Sequence, residues 1–130
     1  MEKDNIKILE NLQVEKAQRF LRQADEMVEL KHWDLAANRY YYACFHIVQA
    51  LFIANGINAH THTGINTLFS LHFVKTGIVD VSYGSFIARM FQLRQKADYN
   101  CAYEVSEDEV CEIVELTHNF IKKISSLIGL

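Results

Sequence analysis

The sequence predicts an all-α fold, an antiparallel up-and-down bundle of four to five helices, on three observations. Apolar residues recur at three- and four-residue spacing over long stretches, no stretch alternates strongly enough to form a strand, and the 130 residues contain no proline. Half of the residues are hydrophobic and 22% are charged, which is a globular composition. The length suits one domain over residues 1–130, burying roughly two-thirds of its unfolded surface.

The first helix is expected over residues 14–30, with Ala17, Phe20, Leu21, Ala24, Met27 and Val28 on one side and Glu15, Arg19, Arg22, Asp25 and Glu26 elsewhere. Residues 6–12 either extend it or form a separate turn, and Lys31 and His32 end it. The second helix spans 34–55, with Asp34 as its N-cap and Asn55-Gly56 as its stop. It is apolar on most sides, so it is the central helix. Residues 57–63 read as a loop with His60, Thr61 and His62 in its middle. A third helix over 64–76 uses Ile65, Leu68, Phe69, Phe73 and Val74, and Gly77 ends it. The fourth covers 82–99, burying Phe86, Ile87, Met90, Phe91, Leu93 and Ala97. The last opens on an S-x-x-E capping box, Ser106 with Glu109, ahead of Val110, Ile113, Val114, Thr117, Phe120, Ile121 and Ile124. The connections are short, which places neighbouring helices antiparallel.

The formal net charge of −3 argues against nucleic-acid binding through overall charge, although Arg89, Arg94 and Lys96 leave room for a local basic groove. The three cysteines, Cys44, Cys101 and Cys111, are odd in number and lack C-x-x-C spacing, and Cys44 falls on an apolar face as a core residue. That usage fits a reduced, cytoplasmic compartment. No signal-peptide core stands at the N-terminus, and the most apolar run, 43–54, is interrupted by His46 and Gln49 and too short to span a bilayer. Neither a phosphate-binding glycine loop nor a zinc ribbon is present, so no cofactor is expected. No metal site is expected either: His60, His62 and His72 have no carboxylate or cysteine at ligand spacing, and a loop histidine capping the third helix is the simpler reading.

Two segments put polar groups into apolar, helix-patterned surroundings. Arg39, Tyr42 and His46 share one face of the second helix, and Arg94 and Asp98 share one face of the fourth. Charged groups buried without partners are costly. They therefore form either a structural clamp, with an arginine (Arg39 foremost) paired to Asp98 across the bundle, or a working polar cleft of Arg39, Tyr42, His46, Arg94, Asp98 and Tyr99. Tyr40, Tyr41 and Tyr42 point in different directions, so at least one belongs to the core or an interface.

The order A-x-R-x-Y-Y-A-x-F-H over 37–46, His62-Thr63-Gly64, Phe73-Val74-Lys75-Thr76-Gly77 and Leu93-Arg94-Gln95-Lys96-Ala97-Asp98-Tyr99 resembles the HEPN domains, in particular the small stand-alone UPF0332 group. The resemblance covers about residues 14–124. It implies a helical bundle that forms a homodimer and works beside a nucleotidyltransferase partner in a toxin–antitoxin-like module, binding RNA or a nucleotide. Similar toxins cut RNA without a metal, using an arginine and, four to six residues later, a histidine. The histidine handles the ribose 2′-hydroxyl proton while the arginine stabilises charge on phosphorus. Arg94 matches that arginine, but Tyr99 stands where the histidine is expected. A free phenol has a pKa of about 10 and is a poor base near neutrality. Arg94, Tyr99 and His46 are thus the catalytic candidates, His46 following Arg39 at a similar spacing on the earlier helix. The resemblance also implies that a partner nucleotidyltransferase can modify a tyrosine in the place of Tyr99, against the alternative that Tyr99 is packed. A metal-independent ribonuclease and a purely structural interaction subunit are the alternatives to a binding role.

Overall fold

The helical periodicity is realised throughout. The computed structural model describes residues 2–59 and 61–129, and these form helices α1 (Glu2–Glu29), α2 (Trp33–Ala54), α3 (His62–Phe69), α4 (Val81–Tyr99) and α5 (Glu107–Ile128). A π-helical turn, Ser70–Val74, continues α3, and no strand occurs among the described residues. Residues 6–12 extend the first helix rather than forming a separate turn.

Cross-helix contacts give the topology. Gln13 meets His46 while Asp25 meets Tyr40, so α1 and α2 run antiparallel. Arg89 reaches Glu112 and Lys96 lies over Tyr103 just before α5, so α4 and α5 are antiparallel as well. Helix α2 packs against α1, α4 and α5 and forms the centre of the core, with Ala36, Ala43, Cys44, Ile47, Val48 and Ala50 fully buried.

Several helix ends follow their expected chemistry. Gly56 takes a left-handed φ of 68°, Ile57 N–H donates to the Phe52 carbonyl at 2.9 Å, and Gly56 N–H to Ile53 at 3.3 Å, which is a Schellman stop. Ser106 and Glu109 make both halves of the capping box. Asp34 does not cap α2. Helix α2 begins one residue earlier, at Trp33 with His32 as an N-cap that makes no side-chain bond. The Asp34 carboxylate instead accepts from Val105 N–H at 3.0 Å and ties the α4–α5 connection to the start of the central helix.

The third helix starts earlier and changes pitch. Thr61 is its N-cap, accepting from Gly64 N–H at 2.9 Å, so His62 is the first helical residue rather than part of a loop or the cap itself. In the π turn Lys75 N–H reaches the Ser70 carbonyl at 2.8 Å. Phe69 and Phe73, four residues apart, both enter the core, where Phe73 stacks on Phe52 at 6.2 Å and Phe69 meets Phe120 at 5.9 Å. A Cβ at Gly84 would lie 3.0 Å from the Val74 methyl, so glycine permits α4 to cross this turn closely.

Helix α1 ends less comfortably. His32 N–H donates to the Met27 carbonyl at 2.9 Å and Lys31 N–H to Val28 at 3.0 Å, the Schellman pattern again, but the left-handed residue is Lys31 at φ 60°. A non-glycine residue in that region costs roughly 1 kcal/mol. Lys31→Gly is expected to stabilise the fold by about 0.5–1 kcal/mol, read as a rise of a few degrees in the thermal midpoint.

Candidate functional site

The helical pitch of α2 divides its polar residues between two neighbours. Asp34, Asn38 and Tyr41 follow a three- and four-residue spacing and turn toward α4, whereas Arg39 and His46 turn toward α1 and its Phe20 ring; Tyr42 stands between the two, its ring 6.4 Å from Phe20 and 6.3 Å from His62. The Arg39 guanidinium lies 5.3 Å from the centre of the Phe20 ring, donates from Nε to Gln23 at 3.1 Å and from an Nη to Asn38 at 2.6 Å. It does not pair with Asp98. The cross-bundle Arg39–Asp98 clamp is therefore replaced by an Arg94–Asp98 pair within α4, because residue 39 faces the wrong helix.

His46 also sits on the α1 side. It is 9% exposed, its Nδ1 is 2.7 Å from Gln13 Oε1, and its ring packs on Phe20 at 5.4 Å. Burial first, and then the positive charges of Lys16 and Arg19, push its pKa down to about 4. It is a neutral core histidine, and the Arg94 face lies beyond Tyr41 on another side of α2.

Arg94 and Asp98, on successive turns of α4, form the polar feature facing α2. Arg94 Nε stands 2.9 Å from Asp98 Oδ2 but its N–H is not aligned with the carboxylate, so the contact is an ion pair without a proper hydrogen bond. The Arg94 side chain is 16% exposed and that of Asp98 36%. A pair of this kind stabilises by only about 0.5 kcal/mol, and arginine preceding the acid is the less favourable order along a helix. The guanidinium lies between two phenol rings, 5.9 Å from the centre of Tyr41 and 5.8 Å from that of Tyr99. Tyr99 is 75% exposed, which sets aside the packed reading of that residue.

Beside Arg94 a cleft of about 280 Å³ opens between α2 and α4, lined among others by Leu35, Asn38, Leu93, Arg94, Ala97 and Asp98. That volume lies at the low end for small-molecule sites, enough for a phosphate and part of a nucleoside rather than a large cofactor. Among the described residues no three His, Cys, Asp or Glu side chains converge in the manner of a metal site, and His60 lies outside the described residues.

On the other flank of Arg94 the structure adds two residues that the sequence reading did not place at the site. Tyr41, 4% exposed, hydrogen-bonds through its hydroxyl to Nδ1 of His62, the first residue of α3. The His62 ring also packs against Phe45 at 4.8 Å and Phe91 at 6.0 Å. Burial, followed by the charge of Arg94, holds the His62 pKa below the usual imidazole range, while burial raises the phenol of Tyr41, so both groups are neutral near pH 7. The local signal that would have found His62 is Thr61 as an N-cap three residues ahead of Gly64, which turns a loop histidine into a helical one.

The environment of His46 has a measurable consequence. Its folded pKa of about 4 lies below the usual 6.5, so below pH 6.5 the unfolded chain binds a proton that the folded chain does not. Stability contributed by this site is therefore full above pH 6.5 and falls as the pH drops toward 4, by on the order of 3 kcal/mol. In urea titrations from pH 7 to 4, His46→Gln is expected to flatten this part of the pH dependence, whatever its effect on stability at pH 7.

Comparison with known proteins places this geometry in a family. The HEPN domain model matches residues 11–127. The chain is 32% identical over 110 residues to "Putative toxin MJ0142" of Methanocaldococcus jannaschii, covering 85% of this chain and 75% of that protein. It is 39% identical over 93 residues to a "UPF0332 protein" of Thermotoga maritima, covering 72% and 70%. A second Methanocaldococcus jannaschii protein, "Putative toxin MJ0605", is 33% identical over 111 residues, covering 85% and 82%. No helix among the described residues is long and apolar enough to cross a membrane. With a five-helix bundle, an arginine presented by α4 beside a cleft, and a family match over most of its length, the chain belongs to the HEPN domain family.

Proposed function

We propose that this toxin-like HEPN protein binds RNA in the cytoplasm by holding a backbone phosphate at Arg94. The observation that carries the reading is the state of that guanidinium. It is a permanent charge between two phenol rings at the edge of a 280 Å³ cleft, and its ion pair among the described residues, with Asp98, is misaligned and weak. Guanidinium matches phosphate geometry through paired donors, and the exposed ring of Tyr99 offers a stacking surface for a base of a single strand. The chain's net negative charge is compatible with this, because a cleft-bound phosphate needs local rather than overall positive charge.

The resemblance supplies the rest of the proposed setting, a homodimer with a nucleotidyltransferase as partner protein. Tyr99 beside Arg94 is exposed, so its hydroxyl is accessible to nucleotidyl transfer by such a partner. A second reading, cleavage of the bound RNA without a metal ion, is favoured by the neutral imidazole of His62 on the other side of Tyr41.

Fluorescence anisotropy with a labelled single-stranded RNA in EDTA tests the binding. Arg94→Ala is expected to weaken affinity by about 10- to 100-fold, the value of a charge-assisted phosphate contact, with circular dichroism unchanged. Arg22→Ala, on the exposed surface of α1, is the charge-matched control and should stay within about twofold. Equal affinity of the wild type and Arg94→Ala would remove Arg94 from the site. An Arg94→Ala protein that unfolds would restore the structural-clamp reading.

A further inference from the structure

Among the described histidines, His62 alone combines partial exposure, a defined hydrogen bond and a place beside Arg94. His46 is buried against α1, His118 is held 2.9 Å from Asp25, and His32 and His72 are exposed at other ends of the bundle. His62 is carried by the first turn of α3, where the Thr61 cap fixes the backbone, and Phe45 and Phe91 confine the ring. The Tyr41 ring centre is 5.6 Å from that of His62 and 5.9 Å from the Arg94 guanidinium, so Tyr41 stands next to both. Its Nδ1 is engaged by the Tyr41 hydroxyl, which leaves Nε2 as the ring atom not tied to Tyr41. The titratable and charged groups facing it are Tyr41 and Tyr42 from α2 and Arg94 from α4.

We propose that His62 is the proton-transferring catalytic residue of the Arg94 site, with Tyr41 as its positioning residue, so that RNA is cleaved with no histidine at position 99. This rests on the RNA-cleavage reading above and names the group that performs it. In the step, the Nε2 lone pair of neutral His62 takes the proton of a ribose 2′-hydroxyl and the 2′-oxygen forms a bond to phosphorus. The P–O5′ bond breaks, and the 5′-oxygen leaves with the bonding pair and takes a proton from water. Arg94 offsets the negative charge that develops on the phosphoryl oxygens. His62 then returns its proton to the hydroxide formed, so nothing is oxidised or reduced, and the products are a 2′,3′-cyclic phosphate and a 5′-hydroxyl. Tyr41 keeps its own proton, and its hydroxyl oxygen accepts from Nδ1–H of His62, the tautomer that leaves the Nε2 lone pair free, so that it also sets the orientation of the ring.

Single-turnover cleavage of a single-stranded RNA in EDTA, followed from pH 5 to 9, tests this on the wild type, His62→Gln and Tyr41→Phe. Affinity is measured in parallel with a DNA oligonucleotide of the same sequence, which lacks the 2′-hydroxyl. His62→Gln is expected to lower the rate by about 100-fold or more while binding DNA within about threefold of wild type. Tyr41→Phe should move the acid limb of the pH–rate profile, a change that a purely structural tyrosine would not cause. Wild-type cleavage that a folded His62→Gln protein retains within threefold would overturn the inference and leave the cleavage reading standing. No cleavage by the wild type would overturn both. Should His62→Gln fail to fold, the ring resonances of His62 in the wild type decide. A titration midpoint matching the acid limb, with a shift on adding the DNA oligonucleotide, is expected, and a mismatch overturns the assignment.

Discussion

Twelve of the 22 residues of α2 are buried, and that burial requires neighbours on several sides of one helix. Apolar side chains supply most of the favourable free energy, but each polar atom carried inward must find a partner or incur the cost of desolvation. Tyr40 donates to Asp25 of α1 at 2.5 Å, and the same Asp25 oxygen is 2.9 Å from His118 of α5. Tyr41 bonds to His62 of α3, and His46 contacts Gln13 of α1. Successive residues on a helix are turned by about 100°, so Tyr40 and Tyr41 address different neighbours. The central helix thus fixes the placement of the surrounding helices through specific polar contacts as well as through packing.

The site on the α4 side follows from that arrangement. Tyr41 is held by burial in one orientation, and it connects a histidine from α3 to an arginine from α4. None of the three would be confined in the same way on a loop. The Asp34 carboxylate, by holding Val105, fixes the chain just after α4 and so the end of the helix where Arg94, Asp98 and Tyr99 lie. The weak ion pair between Arg94 and Asp98 contributes little to folding, and the aromatic rings around the guanidinium lower its hydration without neutralising it. This is a suitable environment for a counter-anion supplied from outside the chain.

The two histidines near the tyrosine run of α2 show how burial divides similar residues between roles. Both have pKa values pushed below the usual range, chiefly by desolvation and then by nearby cations. His46 has its ring on Phe20 and contributes a pH-dependent element of core stability. His62, at a helix start, is only partly covered. Identical chemistry therefore yields a buried packing residue in one place and a partly exposed imidazole in the other.

The helices, their order and several of their caps are determined by local patterns. The capping box of Ser106 and Glu109, the stop at Gly56, and the burial of Cys44 and Phe120 each depend on residues within one or two turns, and such short-range rules can be read along the chain. The sharing of a face by Arg94 and Asp98, and by Arg39, Tyr42 and His46, follows from the same periodicity. What the second of these faces meets does not. Periodicity states that three residues lie together, and only the packing of α1 against α2 turns them toward Phe20 rather than toward Asp98. The pairing of Asp34 with Val105 spans 71 residues and the meeting of Tyr41 with His62 spans 21, distances at which no local signal survives. The sequence alone thus determined the helical scaffold and the face that Arg94 shares with Asp98. The tertiary structure decided which histidine stands near it, because that depends on the rotation of neighbouring helices about their axes.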